Sequence, residues 1–165
     1  MPSLVRALYD DNSQLLDYLR NNQEVSFANS VESILPKVLL LAAASHLESE
    51  LQGLILDYFR EVTGNRMCAV SFVEKKAVVR QFHTYFSWDA GNANSFFALF
   101  GTDFKTTMTA LLQTDNDLAV AVKNFVGIGS LRNQLVHQNY AAFTMESTAE
   151  EIWRMYESAL KWVAP

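Results

Sequence analysis

Leu4, Leu8, Leu15 and Leu19 recur at near-helical intervals, which predicts a first helix from about Ser3 to Asn22, with a break near Asp10 to Asn12. A longer stripe of Leu40, Ala44, Leu47, Leu51, Leu54 and Tyr58 predicts a second helix from about Asn29 to Val62, stopped by Thr63-Gly64-Asn65. Pro36 falls in its early turns or marks a kink there. Val70 to Phe82 predicts a third helix, carrying Lys75, Lys76 and Arg80. Ser95 to Phe100 and Thr102 to Gln113 predict two short helices divided by Gly101. Asp115 to Gln138 is the next long one and Ser147 to Trp162 the last. Ser147 with Glu150, or Thr148 with Glu151, makes a capping box before that final helix. The stretch HTYFSWDAGNANS has no clear period and predicts an ordered loop. No segment alternates convincingly as a strand, so the pattern predicts one all-α domain over residues 1–165.

Composition agrees with this. Hydrophobic residues make up 50% of the 165 and aromatics 12%, enough for a packed core. Six Gly and three Pro leave little material for the tight turns of a sandwich or barrel. A formal net charge of -5 supplies no global basic field for nucleic acid, so any such contact must be local. The single cysteine, Cys68, excludes an internal disulfide framework and thiolate-based zinc sites. MPSLVRALYDDNSQ lacks a signal peptide's apolar run, and ILPKVLLLAAASHLE carries Lys37 and His46, short of the roughly 20 clean residues of a membrane span. The expectation is a soluble, cytoplasmic chain that engages no membrane.

The chemistry gathers in SLRNQLVHQNY, Ser130 to Tyr140. At about 100° per residue, Leu118, Val122, Phe125, Ile128, Leu131, Leu135 and Val136 fall within about 100° of Arg132. An arginine is almost never fully buried unless paired, so Arg132 needs a carboxylate, a cleft or an interface. Asn133 and His137, four residues apart, share one flank of the stripe. Three polar groups therefore converge. Such a trio suits cleavage of an RNA phosphodiester: a guanidinium can hold two phosphate oxygens and stabilise transition-state charge. An imidazole, whose ordinary pKa lies near 6.5, can move a proton at neutral pH. Attack by the ribose 2'-hydroxyl needs neither metal nor protein nucleophile, and the sequence offers neither. One histidine is a shortage when base and acid are separate groups, and a two-fold dimer would supply the second copy. The same spacing also fits a purely structural arginine paired with a buried acid.

RNQLVH resembles the R-x4-6-H signature of the HEPN superfamily. LAAASHLESELQGLILDYF is similar to the long helix that precedes the motif in HEPN proteins of the RiboL-PSP and MAE_28990 types, and FFALFGTDFKTTM resembles their middle region. The resemblance spans roughly Val31 to Val163. It implies an all-α, HEPN-like helical bundle with two long antiparallel helices and several short ones, a homodimer with a composite active site at its interface, and metal-independent endoribonuclease activity that uses no cofactor. Domains of this kind act as toxins in toxin-antitoxin and phage-defence systems, which makes RNA the substrate and an antitoxin protein a candidate partner. Carried across, Arg132 binds and activates the phosphate, His137 transfers protons, and Asn133 orients substrate or His137. Glu48 matches an acidic position on the earlier long helix and pairs with Arg132. Members without activity serve as dimerising or ligand-binding modules, which is the second reading for this chain.

Other features have blander explanations beside their functional ones. His46 and Glu50 share a helix flank but lack further metal ligands. Lys75, Lys76 and Arg80 could track an RNA backbone or form a charged surface. Phe82, Tyr85, Phe86 and Trp88 could stack on unpaired bases, although such rings more often plug the end of a bundle. Trp153, Tyr156 and Trp162 fit the core or an interface.

Overall fold

The computed structural model describes residues 4–138, 140 and 142–164. Eight α-helices follow one another: α1 (Leu4–Asn21), α2 (Val25–Val62), α3 (Met67–Val73), α4 (Phe82–Tyr85), α5 (Asn94–Ala98), α6 (Thr102–Thr114), α7 (Asn116–His137) and α8 (Ala149–Val163). There is no strand among the described residues. Ser3 and Asn139, named above at a helix boundary and inside the motif, lie outside them.

Helix α1 runs unbroken through Asp10 to Asn12. The polar side chains there bond backward along the helix instead of ending it, Asn12 Nδ2 donating to the Leu8 carbonyl and Ser13 Oγ to that of Tyr9. The stripe keeps Leu8 and Leu19, which pack partly buried, but shifts by one residue at its other two positions. Val5 and Leu16 are buried, whereas Leu4 and Leu15 are exposed. Helix α2 starts four residues earlier than the pattern predicts, because Gln23 takes a left-handed conformation (φ 60°) and turns the chain within three residues. It continues through Pro36 for 38 residues. By length and composition alone α2 is long and apolar enough to cross a membrane, whereas the sequence reading places its apolar stretch short of a span. In the bundle its Leu39, Leu40, Ala43, Leu47 and Leu51 lie in the core.

The predicted third helix is three pieces. Helix α3 passes into a π turn at Glu74–Val78, the backbone breaks at Arg80 (φ 62°), and α4 begins at Phe82. The stretch expected as a loop holds α4 and a 3-10 turn at Trp88–Ala90, closed by Gly91 at φ 64°. Its Tyr85 and Phe86 are buried and stack into a cluster with Phe96, Phe125 and Trp162, the plug that the commoner precedent suggests. Trp162 stands edge-on to Phe125 at 4.9 Å and 90°.

Helices α2 and α7 run antiparallel. Lys37 in the first half of α2 donates to the carbonyl of Tyr140 beyond the end of α7, while Leu47 and Glu48 farther along line one cavity with Ile128 and Arg132. Helix α8 packs extensively along α7 and supplies Ile152, Tyr156, Ala159 and Val163 to the core. Of the two possible capping boxes the second forms: Thr148 accepts from the Glu151 amide and Glu151 accepts from that of Thr148. Helix α6 buries none of its residues.

Candidate active site

Helix α7 is launched by Asp115, whose carboxylate accepts from the Leu118 amide at 3.0 Å. Ala121, Val122, Phe125, Val126, Ile128 and Leu135 are buried along it. Leu118 and Leu131 pack partly buried against the core. Val136, placed in the stripe by its spacing, is 52% exposed, since the last turn of α7 is open to solvent.

Arg132 lies in the stripe between Ile128 and Leu135, whose side chains are 1% and 0% exposed. It is itself half-buried. Among the described residues it forms no ion pair within 4.0 Å. Its Nη1 donates to Asn133 Oδ1 at 3.1 Å, which sets the two heads side by side. Glu48 lines the same cleft but does not reach Arg132. It accepts a hydrogen bond from Gln52 Nε2 at 3.1 Å, four residues along its own helix. The pairing that the resemblance implies is thus absent here, although both partners border one cavity.

That cleft, also walled by Phe82, His83 and Trp88, has a volume of only about 30 Å3. A wider groove of about 410 Å3 lies beside it, lined by His137, Gln134, Ser130 and Asp89. Asn133 and Trp88 border both cavities, so the three motif residues share one continuous surface. His137 is exposed at the end of α7.

Three residues of this surface were not legible as parts of it. His83 brings a second imidazole to the cleft from the aromatic segment. Trp88 separates cleft from groove, its indole N–H donating to the His83 carbonyl at 3.1 Å. Gly129 explains why Trp88 can lie there: a Cβ at this position would stand 1.9 Å from the indole ring. A glycine in a helix interior costs about 1 kcal/mol relative to alanine, and that cost was the one available signal. Tyr85 belongs to the supporting layer. Its hydroxyl donates to the Ala77 carbonyl at 2.5 Å. Burial first, and then the negative charge of Glu48, hold its phenol above the ordinary value of 10.0.

The remaining candidates stand elsewhere. The ring of His46 makes a 3.1 Å hydrogen bond with the Tyr156 hydroxyl and approaches Glu50 at 3.5 Å. Neither His46 nor Lys75, Lys76 or Arg80 borders the cleft or the groove.

No curated protein and no solved structure matches the chain significantly. A family model, RiboL-PSP-HEPN, matches residues 6–163 and so takes in α1 as well as the span from Val31 on which the resemblance rests. With nearly the whole chain matched, and the all-α architecture agreeing, this protein belongs to the RiboL-PSP-HEPN family.

Proposed function

We propose that the chain is an endoribonuclease that breaks RNA by attack of the ribose 2'-hydroxyl on the adjacent phosphorus. The new O2'–P bond forms as the P–O5' bond breaks, the 2'-hydroxyl proton passes to a base, and an acid protonates the departing 5'-oxygen. The products are a 2',3'-cyclic phosphate and a 5'-hydroxyl. Arg132 binds the phosphate and stabilises its developing charge, His137 transfers a proton, and Asn133 holds the guanidinium in place and orients the substrate.

The observation that carries this is the state of Arg132. A half-buried guanidinium with no carboxylate within 4.0 Å among the described residues, bonded to a neutral amide, has lost part of its hydration without gaining a counter-charge. It favours an anion arriving from outside. The alternative, a non-catalytic dimerisation module, expects Arg132 to be occupied by an acid, and Glu48 bonds Gln52 instead.

The second proton-transfer group is assigned in this proposal to a second copy, with two clefts meeting at a two-fold axis and the exposed Val136 available to the contact. The reaction as written needs no metal or cofactor. In a cell such an enzyme is a toxin or phage-defence effector acting in the cytoplasm and held in check by an antitoxin protein. The deciding experiment is incubation of purified protein with RNA in EDTA. Wild type is expected to leave 2',3'-cyclic ends, while Arg132→Ala and His137→Ala stay folded and cut at least about 100-fold more slowly. Cleavage at an undiminished rate in both variants would remove these residues from the mechanism. Expression of wild type, but not of His137→Ala, is expected to arrest growth.

A further inference from the structure

The four rings of the aromatic segment do not share one fate. Tyr85 and Phe86 are each 5% exposed and belong to the core. Trp88, two residues later, remains partly open and borders both the Arg132 cleft and the His137 groove. It is held from several sides. The indole N–H is fixed on the His83 carbonyl, Phe86 stands 4.8 Å away and Phe82 5.5 Å, and the ring closes on the bare backbone of Gly129. A pinned, partly exposed indole between a phosphate-binding arginine and a proton-transfer histidine is more than a plug. Around it stand Asn133, Ser130, Gln134 and Asp89, which can donate to or accept from the edge of a base. Lys123 lines a groove on its other flank, a cation of the kind that tracks a nucleic-acid backbone.

We propose that Trp88 is the stacking platform for the base next to the scissile phosphate, and that the substrate is therefore single-stranded RNA with that base unpaired. This rests on the ribonuclease assignment above and adds the substrate class to it. In an A-form duplex each base face is covered by its neighbours, so a duplex cannot offer one to Trp88. Any base has a face, so the platform tolerates sequence, and selectivity among bases falls to the polar rim. Stacking of one base on an aromatic side chain contributes about 1–3 kcal/mol, or roughly five- to 150-fold in affinity.

The test uses two RNAs of the same sequence, one unstructured and one paired with its complement, and the full chain. Wild type is expected to cut the unpaired RNA and to spare the duplex. For binding without turnover, the variants Trp88→Leu and Trp88→Tyr are placed in a His137→Ala background and titrated against fluorescently labelled single-stranded RNA. Leucine keeps apolar bulk without a flat ring and is expected to weaken binding at least about fivefold. Tyrosine is expected to restore it to within about threefold. In the cleaving enzyme the loss should fall chiefly on KM. Equal cutting of paired and unpaired RNA would overturn the inference and leave the ribonuclease standing. So would unchanged affinity in a folded Trp88→Leu protein, or a loss confined to kcat. A wild type that cuts no RNA would instead remove the ribonuclease assignment, and the inference with it.

Discussion

The two halves of α7 continue one stripe with opposite chemistry. From Ala121 to Ile128 the stripe is apolar and sealed, with Phe125 held edge-on by Trp162. From Gly129 to His137 the same face carries Gly129, Arg132 and Val136 beside the still-buried Leu135, flanked by Asn133 and His137, and it opens to solvent at Val136 and His137. Helical phase is therefore no guide to what a position does. Within one helix, the place where the apolar sequence fails while its geometry continues is where the candidate site stands.

Substitutions in the two halves should separate stability from activity. The largest effect is expected for Phe125→Ala, a cavity in the sealed half that costs about 3–5 kcal/mol of folding stability, read as a lower midpoint in denaturant. Arg132→Ala is expected to do the reverse, lowering kcat by about 10²–10³, or roughly 3–4 kcal/mol of transition-state stabilisation, with an unaltered midpoint. If Arg132→Ala unfolds the chain as Phe125→Ala does, the two halves do not differ in kind. The boundary itself can be probed by the glycine pair. Gly127→Ala meets only the mobile end of Met155, at 3.0 Å, and should gain up to about 1 kcal/mol of helix stability. Gly129→Ala must displace the Trp88 ring, and a loss of about tenfold in cleavage is expected alongside altered tryptophan emission. His83→Ala sharpens the comparison in another way: a loss as deep as that of His137→Ala would place both proton-transfer groups in one chain.

The smallest effect concerns the layer under the site. The raised Tyr85 pKa favours the neutral phenol in the fold, so its contribution is complete below the ordinary tyrosine range near 10. That contribution is lost as pH climbs through the higher folded value. Stability measured from pH 8 to 11 should fall less steeply in Tyr85→Phe, which also gives up about 1 kcal/mol at neutral pH with the bond to Ala77. Glu48→Gln, removing the second cause, brings the folded value closer to the ordinary one and should make the fall shallower.

Much of this was legible in the chain. Period alone placed α2, α6, α7 and α8 to within a few residues, because each carries a long apolar run and a defined stop. It also set Arg132 among apolar neighbours with Asn133 and His137 beside it. It failed where local signals compete. The one-residue phase shift in α1 is invisible when Leu4 and Val5 are both apolar, and the π turn at Glu74–Val78 has no period of its own. The cleft's far wall was illegible for a different reason. Trp88 and His83 lie about 45 residues from the motif and reach it through tertiary packing alone, so no spacing along the chain records their meeting. Glu48 shows the converse limit, since the sequence brings it to the right cavity while the choice of partner is decided locally by Gln52.

The missing methyl group at residue 129 has a consequence for anyone who would improve this protein. Read as helix engineering, Gly127 and Gly129 are two equal defects in a 22-residue helix, and replacing both with alanine is the standard remedy. Only one is a defect. The other is a clearance, as wide as a single carbon, through which an aromatic ring reaches the site, and a stability screen would select for closing it.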